Sequence, residues 1–592
     1  MAASRENSSD GWSKWQIGLA VGVPVVVIGG YLLYRRRNKK KSKSDKDLTT
    51  PKGSEKKTPV STNNVNDNAN LDQTDSQNNQ DQELSPLENA QSQKNKGNKY
   101  FKGGRYDAAI NCYTEAIKVC PPEETQDLAT FYHNRAAAYE KLKNLNMVVE
   151  DCSEALKHNS KYTKCLMRRA NAAEQLGDLS LALEDLTALC ILEGFQNPKS
   201  LMTADRVLKQ LGQSKAKETF SKRKPAMPSN HFMRTYLKAF TQDPVLNEAS
   251  TLKQSTLQNG ELDIPDNDSP YFEALRNLNA ENYEDIIPCC TKELANEESF
   301  KCHEARLLRA TFYHLRGETD KAIADLNLLM SEDVHKKIRV NALIKRGSML
   351  IQQEKQTEGL DDFAKAVRLD PDNPDVYHHR GHHNIQLDRI DDAIRDLDFA
   401  ISKCPVFAAS HVQKSFAEHR KAAEVIANSG AKLPLPQTVI DNYKNNVTMF
   451  PDCGDARALY AQALTDAGKF DEADREFEKA IKLEPDNATA MVHRGLLQLQ
   501  WKQDIEEAVK MINKAIDTDQ KCEYAYEVLG TLEVQRGNME RAMDLFQKAI
   551  HLSRTESEMS NLYSLLDAAH AQLKVSKNLN IVLPGGMGMG QM

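Results

Sequence analysis

Apolar and polar positions divide this chain into stretches of different physical character. Residues 15–34, Trp15 to Tyr34, hold no charged side chain, and their centre reads IGLAVGVPVVVIGGYLLY. A helix of that length, at about 1.5 Å per residue, just crosses a hydrocarbon layer of roughly 30 Å. Trp12 and Trp15 stand at one end and Tyr31 and Tyr34 at the other, where interfacial aromatics belong. Beyond a basic flank, the segment to residue 85 is nearly devoid of apolar side chains. It has nothing to bury, so residues 35–85 are expected to be a flank and a disordered tether with a reach of roughly 30–40 Å. From Leu87 onward apolar residues return with helical periodicity and predict helix hairpins to about residue 575.

Those hairpins repeat. Gly97, Tyr100, Ala109, Tyr113, Ala116 and Pro121 recur with identical spacing as Gly347, Leu350, Gly359, Phe363, Ala366 and Pro371. The set returns at Gly381 to Pro405 and at Ala461 to Pro485. Further copies centre on Gly495, with one extra residue before Ala508, and on Gly530. Weaker copies run through Ala136–Ala155, Ala170–Leu189 and Ala310–Leu329, and the weakest through Tyr271–Leu294. Small residues let two helices approach, the aromatic or leucine fills the space between them, and proline ends the second helix. This 34-residue pattern resembles the tetratricopeptide repeat. The expected fold is therefore all-α: a superhelical solenoid of about eleven such helix pairs, preceded by one N-terminal transmembrane helix and a disordered tether.

The N-terminal apolar run is expected to stay on the chain as an anchor. A cleaved signal peptide carries its basic residues before the apolar run, and here they follow it. Arg35, Arg36, Arg37, Lys39, Lys40 and Lys41 form the flank, with Lys43 and Lys46 behind them; only Arg5 and Lys14 precede the span. The positive-inside rule then puts residues 1–14 on the far side, in the intermembrane space if the membrane is the mitochondrial outer one, and nearly everything else in the cytosol. The span is short, rich in Gly and Val and interrupted by Pro24, which suits a thin membrane but separates mitochondrion from endoplasmic reticulum poorly.

The divisions that follow are 1–14, a short N-terminal segment; 15–34, the anchor; 35–85, flank and linker; 86–194, a three-repeat domain; 195–268, an irregular helical connector; 269–575, a longer repeat array; and 576–592, a flexible Gly/Met tail. Composition narrows the function. The net charge of -6 over 592 residues gives no sign of nucleic-acid binding. The eleven cysteines contain no CxxC and read as reduced thiols in a cytosolic setting. No GxxxxGK[ST] loop is present, and LPGGMGMGQM follows no strand, so no enzymatic activity and no cofactor are expected. His378 and His382 in YHHRGHHN have a spacing that can ligate zinc, but no third ligand accompanies them, and the segment also fits a repeat helix around Gly381.

Function is sought on the inner face, which the first helix of each repeat lines. Lys94 and Asn98 are four apart in the first repeat, Asn134 lies in FYHNRAAAY of the second, and Lys164 and Arg168 are four apart in the third. Three cations and two amides on one face would hold an extended peptide ending in a carboxylate. The five match the two-carboxylate clamp of co-chaperones that bind the C-terminal tails of the large cytosolic heat-shock chaperones. In the longer array the same register places Ile344, Ile351, Ile385, Val492, Leu496, Leu499 and Val534 inward. These are either an apolar groove for a client or residues packed against neighbouring repeats, and His378 and His382 share both readings.

Anchor, tether, clamp and long array together resemble the family of 70-kilodalton import receptors of the mitochondrial outer-membrane translocase. The resemblance covers essentially the whole chain. It implies docking of the cytosolic 70- and 90-kilodalton heat-shock chaperones. It also implies acceptance of hydrophobic precursors with internal targeting signals, such as metabolite carriers, and their transfer to other translocase subunits. The competing expectation is a membrane-tethered co-chaperone or scaffold at another organelle such as the endoplasmic reticulum.

Overall fold

The computed structural model describes residues 85–259, 269–429 and 434–581. The expected anchor with its flank, the linker up to residue 84, and residues 582–592 lie outside them. Among the described residues no helix is long and apolar enough to cross a membrane. They form 26 α-helices and no strand.

Residues 85–208 with Ala571–Ile581 make one compact unit. Its three helix pairs are α1 (Pro86–Lys102) with α2 (Tyr106–Val119), α3 (Thr125–Lys141) with α4 (Leu145–His158), and α5 (Thr163–Leu176) with α6 (Leu179–Leu192). Helix α1 begins at a capping box. Ser85 Oγ accepts from Glu88 N at 3.3 Å, Glu88 Oε2 accepts from Ser85 N at 2.9 Å, and Pro86 occupies the first turn. Gly97 is buried because the Tyr113 ring of α2 lies where a Cβ would be, 2.7 Å from its ideal position. Helix α7 (Pro198–Phe220) starts in this unit and continues past Leu208, so the boundary falls inside a helix rather than at 194/195.

Residues Lys209–His570 make the second unit. The connector contributes α8 (Asn230–Lys238) and α9 (Pro244–Asn259). Eight pairs follow: α10 (Pro270–Asn279) with α11 (Ile286–Leu294), α12 (Cys302–Leu315) with α13 (Thr319–Asn327), α14 (Lys336–Gln352) with α15 (Gln356–Leu369), α16 (Pro374–Gln386) with α17 (Ile390–Lys403), α18 (Ala408–Ser429) with α19 (Gln437–Met449), α20 (Gly454–Asp466) with α21 (Phe470–Leu483), α22 (Ala488–Lys502) with α23 (Ile505–Thr518), and α24 (Glu523–Gln535) with α25 (Met539–Leu552). Helix α26 (Glu556–Leu579) closes the described chain. Its last turns belong to the first unit, where Val575 and Leu579 are buried with Ala136, Val148 and Cys165, and Lys574 pairs with Glu184 at 2.6 Å. The tail expected from residue 576 therefore starts later, because its first residues are helical and in a core.

Two rules recur in both units. Seven residues after the small site the backbone is left-handed, at Gly104, Lys143, Gly177, Glu281, Gly317, Glu354, Asp388, Gly468 and Gly537. In the copy centred on Gly495 this residue is Gln503, one place later, so α22 absorbs the extra residue before the turn. The second rule is an ion pair. The arginine just before the small site reaches the aspartate sixteen residues on: Arg135–Asp151, Arg169–Asp185, Arg309–Asp325, Arg346–Asp362 and Arg380–Asp396, each with its Nε donating at 2.7–2.9 Å. Each pair ties the first helix of a repeat to its second by a two-toothed, charge-assisted contact. Burial pushes the Asp151 and Asp185 carboxyls up although the guanidinium pulls them down.

Candidate functional site

The repeat geometry of the first unit delivers the five expected clamp residues from α1, α3 and α5. Asn98 and Asn134 meet across two repeats, with Asn134 Nδ2 donating to Asn98 Oδ1 at 3.4 Å. The same oxygen accepts from Tyr113 Oη at 2.8 Å. With its oxygen engaged twice, the Asn98 amide keeps an NH2 that is free among the described residues, the polarity a ligand carbonyl or carboxylate needs.

Arg168 is held in place from two sides. Its Nε donates to Glu140 Oε2 at 2.9 Å. Its Nη1 lies 2.8–2.9 Å from both ring nitrogens of His133 and donates to the His133 carbonyl at 3.4 Å. Nη2 makes no hydrogen bond among the described residues and is left for a ligand. His133 is 8% exposed and packs on Tyr162 at 4.8 Å between ring centroids. Burial, with Arg168 and then Lys164 nearby, lowers its pKa to about 3, so the imidazole beside the guanidinium is neutral. Neither Lys94 nor Lys164 has an ion-pair partner among the described residues. Glu140 and His133 were not singled out from the sequence, and Tyr113 was read only as a repeat position. His133 precedes Asn134 directly, but nothing in FYHNRAAAY distinguishes a bracing histidine from a surface one.

The inner residues of the longer array divide between the two readings left open by the sequence. Ile344, Ile351, His378, Ile385, Val492 and Val534 are buried, as the packing alternative expects. Ile344 and Ile351 share a cluster with Ala239 and Phe240, which follow α8. His378 Nδ1 lies 3.0 Å from Ser410 Oγ. His382, Leu496 and Leu499 are half-buried, and the His382 ring nitrogens face Gln413 Oε1 at 3.3 Å and Gln386 Nε2 at 3.1 Å. No group of three or more His, Cys, Asp or Glu among the described residues is placed to hold a metal ion. All eleven cysteines are free.

The tetratricopeptide-repeat family matches residues 97–143, 459–501 and 502–557. The human mitochondrial import receptor subunit TOM70 is 44% identical over 97% of this chain and 94% of its own length. The chain belongs to the TOM70 family of mitochondrial import receptor subunits. The family member of budding yeast is 27% identical over 81% of this chain and 80% of its own. The crystal structure of yeast Tom70 covers 83% of this chain and 99% of its own, at 24% identity and a TM-score of 0.46. Family membership makes this chain a mitochondrial import receptor, which decides between the two organelles weighed from the sequence.

Proposed function

We propose that this receptor collects precursors delivered by cytosolic chaperones at the mitochondrial outer membrane. Lys94, Asn98, Asn134, Lys164 and Arg168 grip the C-terminal carboxylates of the 70- and 90-kilodalton heat-shock chaperones. The 269–575 array accepts the hydrophobic precursor, metabolite carriers among them, and hands it to other translocase subunits. Residues 15–34 anchor the chain in a single pass, with residues 1–14 in the intermembrane space and the bulk in the cytosol. The receptor acts by binding and not by catalysis.

The observation that carries this reading is the state of the five side chains. Among the described residues two ammonium groups lack an anion, an amide is locked with its donors free, and a guanidinium is braced with one nitrogen unused. A lone cation on a helix is ordinarily solvated; here the cations and amides come from three successive repeats, whereas Lys157 is paired with Glu154 of its own helix. Titration of the full chain with an acidic peptide bearing a free C-terminal carboxylate, and with its C-terminal amide, tests it. Binding of the acid and loss of about ten-fold or more with the amide is the expected result. Equal affinity would sink the clamp. Imaging residues 1–46 fused to a fluorescent protein tests the membrane, and reticular staining would overturn that part.

A further inference from the structure

Helix α8 belongs to no repeat, yet it reaches most of the array around it. Its face of His231, Arg234 and Lys238 is basic, and its face of Phe232, Met233 and Tyr236, extended by Phe240, is apolar and aromatic. Arg234 Nη1 donates to Glu281 Oε2, near the start of the array, at 2.7 Å. Its Nη2 pairs with Asp486, five repeats further along, and His231 Nδ1 lies 3.5 Å from the same carboxylate. The Arg554 guanidinium covers the Phe232 ring at 3.8 Å. Tyr236 packs on His314 at 5.8 Å and Phe240 on His379 at 4.3 Å between ring centroids. His314 and His379 both lie in first helices of repeats, and each keeps one buried ring nitrogen without a protein partner among the described residues.

The array thus already holds a basic amphipathic helix, with Met233 buried in the apolar cluster of the first pairs and the charged face held by few groups. A single arginine joins two distant acidic residues, while several polar atoms of the wall stay unsatisfied, which costs stability at each one. An incoming helix with a basic residue beside an aromatic face would use the same acidic pair and the same imidazole wall. We propose that α8 is a resident stand-in for the client, and that a basic amphipathic helix of a precursor displaces it from Glu281 and Asp486. This rests on the reading that the array receives precursors. It adds the chemical class of the recognised segment and a reason why the site is closed in the empty receptor.

The probe is a labelled, C-terminally amidated peptide of residues 229–243, added to the full chain. Arg234→Ala in the receptor weakens the resident helix and leaves the acidic pair for the peptide, so binding tightens ten-fold or more over wild type. In the double variant Arg234→Ala/Asp486→Asn that gain disappears, because the peptide loses its receptor. A peptide carrying alanine at the position of Arg234 shows no gain either. Equal binding to wild type and Arg234→Ala, or a gain that survives Asp486→Asn, overturns the proposal. Hydrogen exchange provides a measurement on the unmutated receptor: saturating peptide must speed exchange at 230–238, and slower or unchanged exchange there also overturns it. A carrier precursor that binds all three receptors alike, while the peptide behaves as stated, leaves displacement standing and removes the client reading of the array.

Discussion

Arg168 donates its Nε to Glu140 Oε2 at 2.9 Å, so a cation proposed to grip a ligand carboxylate already touches one of the protein's own. Coulomb's law alone makes Glu140 a competitor, and its removal a gain. The geometry argues the reverse. Glu140 and His133 together engage Nε and Nη1 and leave Nη2 outward, which fixes a long side chain before the ligand arrives. Ordering such a side chain costs roughly 0.5–1.5 kcal/mol. Glu140→Ala should therefore weaken acidic-peptide binding about two- to ten-fold, while Glu140→Gln, which keeps an acceptor, should stay within about two-fold of wild type. Calorimetry showing tighter binding to Glu140→Ala would reverse the assignment.

The neighbouring arginines should separate binding from folding. Arg168→Ala removes a charge-assisted contact to the ligand, worth roughly 1.5–3 kcal/mol, or about ten-fold or more in affinity, with little change in stability. Arg169→Ala strands Asp185, whose side chain is 3% exposed, inside the first unit. Losing one partner of a buried pair costs roughly 3–5 kcal/mol. Urea unfolding of both variants checks this. Similar stabilities for the two would show that the pair contributes little to the fold.

Gly97→Ala tests how packing reaches the site. Its new methyl would meet the Tyr113 ring at 2.7–2.9 Å, and Tyr113 Oη is what pins Asn98. Overpacking of this kind costs roughly 1–3 kcal/mol, and the displaced tyrosine should lower peptide affinity as well. Gly103→Ala meets nothing closer than 3.5 Å and is the control. A variant at Gly97 with unchanged melting temperature and affinity would show that the ring yields without cost.

The repeat helices were legible because their spacing is steric: Gly347 against Gly359, or Gly381 against Leu397, requires small residues wherever helices cross. The pair α18 and α19 escaped the pattern. Its first helix runs for 22 residues, and three of its five buried positions are Ser410, Gln413 and Ser415, which pair with other side chains. The five residues expected to form the clamp could be assigned to the first helices of three repeats from register alone. The inner wall of the long array could not, since a period of 3.6 cannot tell a groove-facing isoleucine from one covered by another part of the chain. For Ile344 and Ile351 that cover comes from the connector: Asp375 accepts from the Thr241 and Gln242 amides at 2.8–3.0 Å, and Lys345 pairs with Asp243 at 2.7 Å. Those contacts span more than a hundred residues and leave no local signal. The sixteen-residue arginine–aspartate spacing, by contrast, was present in the sequence and simply unread.

Buried imidazoles should make the second unit sensitive to acid. Burial lowers the pKa of His378 and His383 to about 3, and of His314 and His493 to about 4, against roughly 6.5 in an unfolded chain. A lowered folded-state pKa means that the unfolded chain takes up the proton first. Stability is therefore fully present above about pH 6.5 and falls as the pH drops toward these values, by up to about 1.4 kcal/mol per pH unit for each imidazole. His383 Nδ1 lies 2.8 Å from Gln386 Oε1 of its own helix, and the ring packs by Phe363. His383→Leu should thus be tolerated and should reduce the acid slope by about one proton. Urea unfolding of wild type and His383→Leu between pH 7.5 and 5.5 measures it. Parallel profiles would mean that His383 takes up no proton on unfolding in this range.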